Sequence, residues 1–533
     1  MKNRAHGICL LPNNFAKKMS KIGIGLLLVA PFGSAYAQSG SPKAAERNAI
    51  SQAREACEKA GPQGCLAMSL EAMGGRERLE AVRSFSYEAV GHTELVEQSY
   101  RQDPFITSYE RSKGKVDLAG GRIHLETRIT WPESDPGQAD ADATLIVGPD
   151  GGVQRVEGGD APCSLADLAW ARDALALGPM RLLLTAQGAA DLHFESPIVI
   201  RATPHIVLAF TAQGVGVRIL INPFNHLPDA VETLQRFDDH WFQWGDVRQR
   251  IYLDNFQNFH GIIFPTNQVE ERNGILWRSS QVLKLELNIN LDEADFKMAA
   301  KAAQLSRQSP GWDRPFNATK STELAPDVVM FPGAWNSTLV KQDDGIIVLE
   351  APISGNYTGG VIDEAKVRYP SLPIKAVLST SDSWPHVGGV RQAVASGLRV
   401  YILDLNQPLL ERLVSAPHKL HPDLLEQSPK EPDWRIVSGK LVLGSGPNRV
   451  ELYPLRGAST ERQYMAYFPE HKLLYASDTL SLNDDGSLYD PELMREVMEA
   501  VKREGLQVRA VFAMHQGPTP WSQVLALVEK SLS

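Results

Sequence analysis

Cysteine is scarce, four in 533 residues, which leaves too few to hold the fold on a disulfide framework. Basic residues are outnumbered, 54 Lys and Arg against 63 Asp and Glu, and no basic cluster lies outside the first 21 positions. That balance, −9 in formal charge, excludes a nucleic-acid partner. Long apolar runs are missing too. The stretch 22–32 is too short to span a bilayer as a helix, so no transmembrane segment is expected in the mature chain. What is there is an ordinary apolar share, 43%, over a length that fits two or three domains.

The N-terminus reads as a processing segment. Lys17, Lys18 and Lys21 precede the apolar run, and Ala35-Tyr36-Ala37 follows it. This is the layout of a secretory signal peptide over residues 1–37, cleaved after Ala37, with Met19 as an alternative start. Its removal takes away five positive charges and no acids, so −9 becomes −14. A periplasmic or secreted location follows as the expectation. In such an oxidising compartment Cys57 and Cys65 can pair across a helical hairpin, while Cys163 reads as a small buried hydrophobe.

Residues 43–83 have helical spacing, with Leu66, Leu70, Met73, Leu79 and Val82 on one side and Gly74-Gly75 as an interruption. Over 84–300 the pattern changes to alternating strands, among them 122–130, 198–212, 249–255 and 276–288. One amphipathic helix over 164–186 interrupts them, opened by a capping box from Ser164 to Asp167. Together these predict a curved antiparallel sheet. The Met73-Gly74-Gly75 start, Leu79-Glu80-Ala81-Val82 and the pair of strands around Gly261-Ile262-Ile263-Phe264-Pro265 are similar to the open-barrel domains of periplasmic lipoprotein carriers. The resemblance implies a concave face that could take an apolar ligand, against the plainer reading of a scaffold. Residues 301–324 read as a linker.

From 325 to 533 strands, helices and two hairpins alternate. The strand 374–378 runs into Ser379-Thr380-Ser381-Asp382-Ser383-Trp384-Pro385-His386-Val387-Gly388-Gly389 and then into a helix. This resembles the signature loop of the metallo-β-lactamase-fold hydrolases, Thr-His-x-His-x-Asp-His-x-Gly-Gly. Three further segments match in order: Gly345 to Glu350 as a strand ending in an acid, Leu473 to Asp478, and Val511 to His515. The resemblance implies an αββα sandwich, and hence an α+β chain in which an open-barrel-like sheet domain precedes that sandwich.

The resemblance also implies a site, and here most ligand positions are replaced. Ser381 and Ser383 stand where two loop His belong, Pro385 where the Asp belongs, and Ser459-Thr460 near a third His. Hydroxyls are poor zinc ligands beside imidazole and carboxylate. His386, Asp478 and His515 remain, a residual set that could hold one zinc or iron ion. Two readings stand. In the leading one the dinuclear zinc site is largely lost and the protein is a non-catalytic or binding relative, with a small-molecule ligand and no cofactor. In the other it is a mononuclear hydrolase of ester or thioester bonds, with Asp382 as general base. Whether the chain is an enzyme stays open at this point.

Overall fold

The computed structural model describes residues 42–94, 96, 107–130, 141–156, 159–483 and 485–531. The expected leader, 1–37, and the side chain of Pro385 lie outside the described residues. The chain divides into two units, Met1–Ala49 and Ile50–Ser533, and apart from the first residues of the opening helix everything below concerns the second. None of the described helices is long and apolar enough to cross a membrane.

The first helix, Pro42–Ala72, breaks at Gly61, whose φ of 72° suits glycine. The Cys57–Cys65 disulfide bridges that break. After Gly74-Gly75 a short helix, Arg76–Ala81, leads into thirteen strands that form one sheet. In space the strands run from the sixth back to the first, then from the thirteenth back to the seventh. The first and last strands, Ser84–Glu94 and Ile275–Leu287, are therefore neighbours, and the sheet's outer strands stay unpaired with each other. One face is filled by the helices: Cys57, Leu66, Leu70, Met73 and Leu182 pack on Leu208, Phe210, Ile219, Ile262 and Phe264. Cys163 is buried and unpaired.

Two elements differ from the sequence expectation. The helix expected over 164–186 is two, Leu165–Leu177 and Leu182–Gln187, because Gly178-Pro179 cannot continue the backbone hydrogen bonding. The Ser164–Asp167 capping box is present. The strand expected over 198–212 is a hairpin of His193–Ile200 and Thr203–Ala212. Its turn places Arg201 and Ala202 at φ 49° and 61°, left-handed geometry without a glycine to announce it.

Beyond residue 321 two more sheets face each other. The seven-stranded one runs in order from Thr322–Ala325 to Asp433–Val437, antiparallel up to Gly345–Leu349 and parallel from there. The six-stranded one runs from Leu441–Leu443 to Thr519–Pro520, antiparallel except where Leu473–Tyr475 lies parallel to Ala510–Phe512. Period-two alternation assigns each strand's faces. Ile347 and Leu349 meet Tyr464, Phe468, Tyr475 and Phe512 between the sheets, while Ile346 and Val348 face outward to Val361, Ala365 and Val390. On the far side Met465, Tyr467 and Leu474 pack under Met494, Val497, Val524 and Val528 of the last two helices. The result is helix, sheet, sheet, helix. Gly389 is required at the junction, since a Cβ there would sit 1.9 Å from Thr358 Oγ1.

The thirteen-stranded sheet joins this sandwich through a shared core: Trp241, Trp244 and Val247 cluster with Val390, Leu410 and Leu413. Buried Asp246 fixes the contact. Its carboxylate accepts from the backbone N–H groups of Lys419 (2.8 Å) and Leu420 (3.0 Å), and its own N–H donates to Pro417 O. Replacing Asp246 with Ala leaves two donors without their acceptor. An expected loss of about 1–3 kcal/mol follows, read as a lower urea midpoint; an unchanged midpoint would show that this tie contributes nothing.

Candidate functional site

Four strand ends from the two facing sheets converge on one line of polar side chains. Gly345–Leu349 ends in Glu350, Ile374–Leu378 runs into the Thr380–His386 loop, Leu473–Tyr475 leads to Asp478, and Ala510–Phe512 leads to His515. Apolar strands buried on both faces must expel their polar residues at the ends, and parallel neighbours put those ends on the same side. Three non-glycine residues there adopt left-handed backbone geometry: Glu350 (φ 73°), Ile353 (φ 70°) and Ser477 (φ 57°). Such strain persists where surrounding contacts over-determine it.

Glu350 is fully buried and saturated. One carboxylate oxygen accepts from Tyr475 Oη (3.1 Å), from Thr380 N–H (3.3 Å) and from the Thr380 hydroxyl. The other faces His386 Nδ1 at 3.1 Å. His386, also fully buried, presents Nε2 to Asp478 Oδ1 at 3.5 Å, ion-pair rather than hydrogen-bond spacing. The same Asp478 oxygen is 2.9 Å from His515 Nε2. His515 Nδ1 is 2.8 Å from Ala334 O. Side-chain exposure rises along the chain, 0% at Glu350 and His386, 16% at Asp478 and 33% at His515. The line therefore runs from the core to the surface.

The charges follow from this geometry. Burial disfavours an imidazolium at His386, but the Glu350 and Asp478 carboxylates outweigh it and raise its pKa to about 10. Burial likewise opposes the Asp478 carboxylate, and His386 and His515 together hold it well below the usual range. At His515 burial is outweighed by Asp478, which pushes the pKa up.

The residues singled out from sequence thus fall as follows. His386, Asp478 and His515 are brought together. Asp382 lies in the same loop and is 1% exposed. Ser381 is fully buried and its hydroxyl accepts from Ser383 N–H at 3.1 Å. Ser459 and Thr460 are engaged elsewhere, by the Glu496 carboxylate. Sequence reasoning did not place Tyr475, Thr380 or Ser477 in the site, nor give Glu350 a role. The signal for Glu350 was an acid directly after five buried apolar residues.

As a metal site the set is a mixed case. Two imidazoles and a carboxylate are suitable donors for one ion. As arranged, no group of three or more His, Cys, Asp or Glu among the described residues is placed to hold one. Two cavities among the described residues, about 630 and 200 Å3, lie elsewhere, beside Phe296 and Arg307 and beside Lys375 and Tyr401.

Aromatic side chains close the mouth. Trp384, in the loop itself, is buried 4.9 Å edge-on against Trp241 and 5.7 Å from His240. Trp335 sits 6.1 Å from the His515 ring, and Trp312 bridges Trp335 (5.4 Å) and His240 (5.3 Å).

No protein-family model matches the chain, and no curated protein does. Among solved structures it is similar to a metallo-β-lactamase from Pontibacter korlensis, at 15% identity over 39% of this chain and 98% of that one, TM-score 0.31. One from Erythrobacter litoralis matches at 17% over 41% and 99%, TM-score 0.30. A sec-alkylsulfatase from Pseudomonas sp. matches at 13% over 40% of each chain, TM-score 0.30.

The paired charges make stability depend on pH. A His386 pKa of about 10, above its unfolded value of about 6.5, gives a contribution complete below pH 6.5 and lost as pH rises toward 10. The wild type should therefore lose urea resistance over that window. His386→Gln, weaker below pH 6.5 by about 3–5 kcal/mol for breaking a buried pair, should lose this slope, so the gap to the wild type narrows toward pH 10. Parallel pH profiles of the two proteins would refute the assignment.

Proposed function

We propose that this is an exported protein of the metallo-β-lactamase fold whose site works by binding rather than by metal-dependent hydrolysis. The helix-sheet-sheet-helix layers and the loop frame from Thr380 to Gly389 support the fold part of that reading. The Lys17 to Ala37 leader pattern and the Cys57–Cys65 disulfide support export to an oxidising compartment.

The observation that carries the functional part is the bracketing of His386. A carboxylate stands at each ring nitrogen, and an imidazole protonated on both has no lone pair for an ion. A proton then does the work of charge balance that the family assigns to metal. Serine at 381 and 383 removes two further donors, and the segment at 459–460 is spent on Glu496. Making hydroxide near neutral pH needs a well-ligated ion, and a doubly protonated His386 would leave that task to Asp478 and His515.

One observation favours the mononuclear hydrolase instead. Both Nδ1 atoms are tied, to Glu350 and to Ala334 O, so both Nε2 atoms face one Asp478 oxygen. Outer partners of this kind orient metal-binding histidines, and His386, Asp478 and His515 would be the ligands.

Elemental analysis of the purified mature protein decides between them, wild type beside His515→Ala. After incubation with zinc, manganese or iron(II) and gel filtration, no retained metal is expected in either. About one ion per chain, absent from the variant, would overturn the binding reading and revive the hydrolase.

A further inference from the structure

We propose that His418 is an acid-sensitive latch: on taking up a proton it loosens the contact that seats the thirteen-stranded sheet on the sandwich, and so uncovers the Trp384 loop of the candidate site. His418 lies outside the Glu350–His515 line, and the latch works the same way whether that site binds or hydrolyses.

The stretch 239–247 is at once cover and attachment. Its first half is the cover, where His240 and Trp241 press on Trp384. Its second half is the attachment. Gly245, at φ 64°, packs directly on the His418 ring, and a Cβ there would come 2.4 Å from His418 Cδ2. The next residue, Asp246, accepts from the backbone N–H groups of Lys419 and Leu420, which directly follow His418. One short helical turn, Phe242–Trp244, separates attachment from cover. A link of that length passes movement at one end to the other.

His418 has little room for a charge. It is 8% exposed. The acid beside its ring, Asp423, stands 3.6 Å from Nδ1 and is already engaged. Arg391 donates to both its oxygens, from Nε at 2.6 Å and from Nη2 at 2.9 Å, and Glu426 N–H donates to one of them at 2.8 Å. An imidazolium would therefore share one carboxylate with a buried guanidinium. The other acids facing it are also in use. Glu426 accepts from the His418 N–H at 3.2 Å, and Asp246 spends both oxygens on 419 and 420. Lys419 and His421 are exposed, and Arg412 stands 5.5 Å over Trp244 as a further positive charge. Burial and then Arg391 outweigh Asp423, the Gln243 carbonyl and Asp246, and lower the His418 pKa to about 4.

The direction of the effect follows. In the loosened form the ring meets water and its pKa returns to about 6.5. Above pH 6.5 the imidazole is neutral in both forms, and the latch holds at full strength. As pH falls from 6.5 to 4 the loosened form takes up a proton that the closed form refuses. Its population rises by up to roughly 300-fold, and below pH 4 the gain stops.

Hydrogen exchange of the mature protein tests this, read by mass spectrometry between pH 7.5 and 4.5 and corrected for the intrinsic rate. In the wild type, opening over 239–247, 415–421 and 380–389 should rise by about tenfold or more as pH falls, while the sheet core at Leu208 and Phe210 stays closed. His418→Gln has no titrating group at this position and should lose the rise, even with a looser joint at every pH. Asp246→Asn separates the carboxylate from the imidazole; it should be looser throughout and keep the rise. Five outcomes would each overturn the latch: a flat wild type, a rise of the same size in His418→Gln, a rise lost only in Asp246→Asn, a joint that opens while 380–389 stays closed, or equal opening at Leu208 and Phe210.

Discussion

An imidazolium sealed between two carboxylates is the constraint around which the sandwich is built. Isolating any one of Glu350, His386 or Asp478 in the interior would cost several kcal/mol, so each can be buried only in the company of the others. They come from three different strand ends on two sheets. Holding them together fixes the offset of one sheet against the other and the path of the loop between them. Tyr475 and the Thr380 hydroxyl take up the rest of Glu350, which leaves little freedom for rearrangement. The left-handed turns at Glu350, Ile353 and Ser477 are the backbone's concession to this arrangement.

From that buried pair the polar line leads outward through Asp478 to His515. Trp241 and His240 lie just past the tenth strand of the first sheet, Pro228–Gln235, and press against Trp384 in the sandwich's loop. Asp246 ties the same region to the backbone at 419–420. The thirteen-stranded sheet therefore walls the site as well as carrying its own core. The segment 307–321, which connects the two parts of the chain, lies across the mouth and supplies Trp312 and Arg314.

Much of this was legible where the physics is local. The Ser164–Asp167 capping box and the strand Arg122–Thr130 depend on neighbours in sequence, and they stand as read. Misreadings arose where a local signal was missing or outvoted. Apolar spacing carried one helix through Gly178-Pro179, and a turn made by Arg201 and Ala202 hid inside an apolar run. In the candidate site, family-matching positions pointed to His386, Asp478 and His515. Glu350 was noted only as the acid ending a strand. Trp241, Trp312 and Trp335 gave no sign at all, because they come from three separate stretches of the chain.

Sequence by itself determined the alternation of strands and helices, the glycine pair in the loop, and serine at 381 and 383 with proline at 385. These are properties of single residues and of their immediate neighbours. Only the tertiary structure decided that Glu350 holds His386 from the other side and that Ala334 orients His515. The reason is electrostatic. A charge's state is set by what surrounds it within a few ångströms, and here each partner lies tens to hundreds of residues away along the chain.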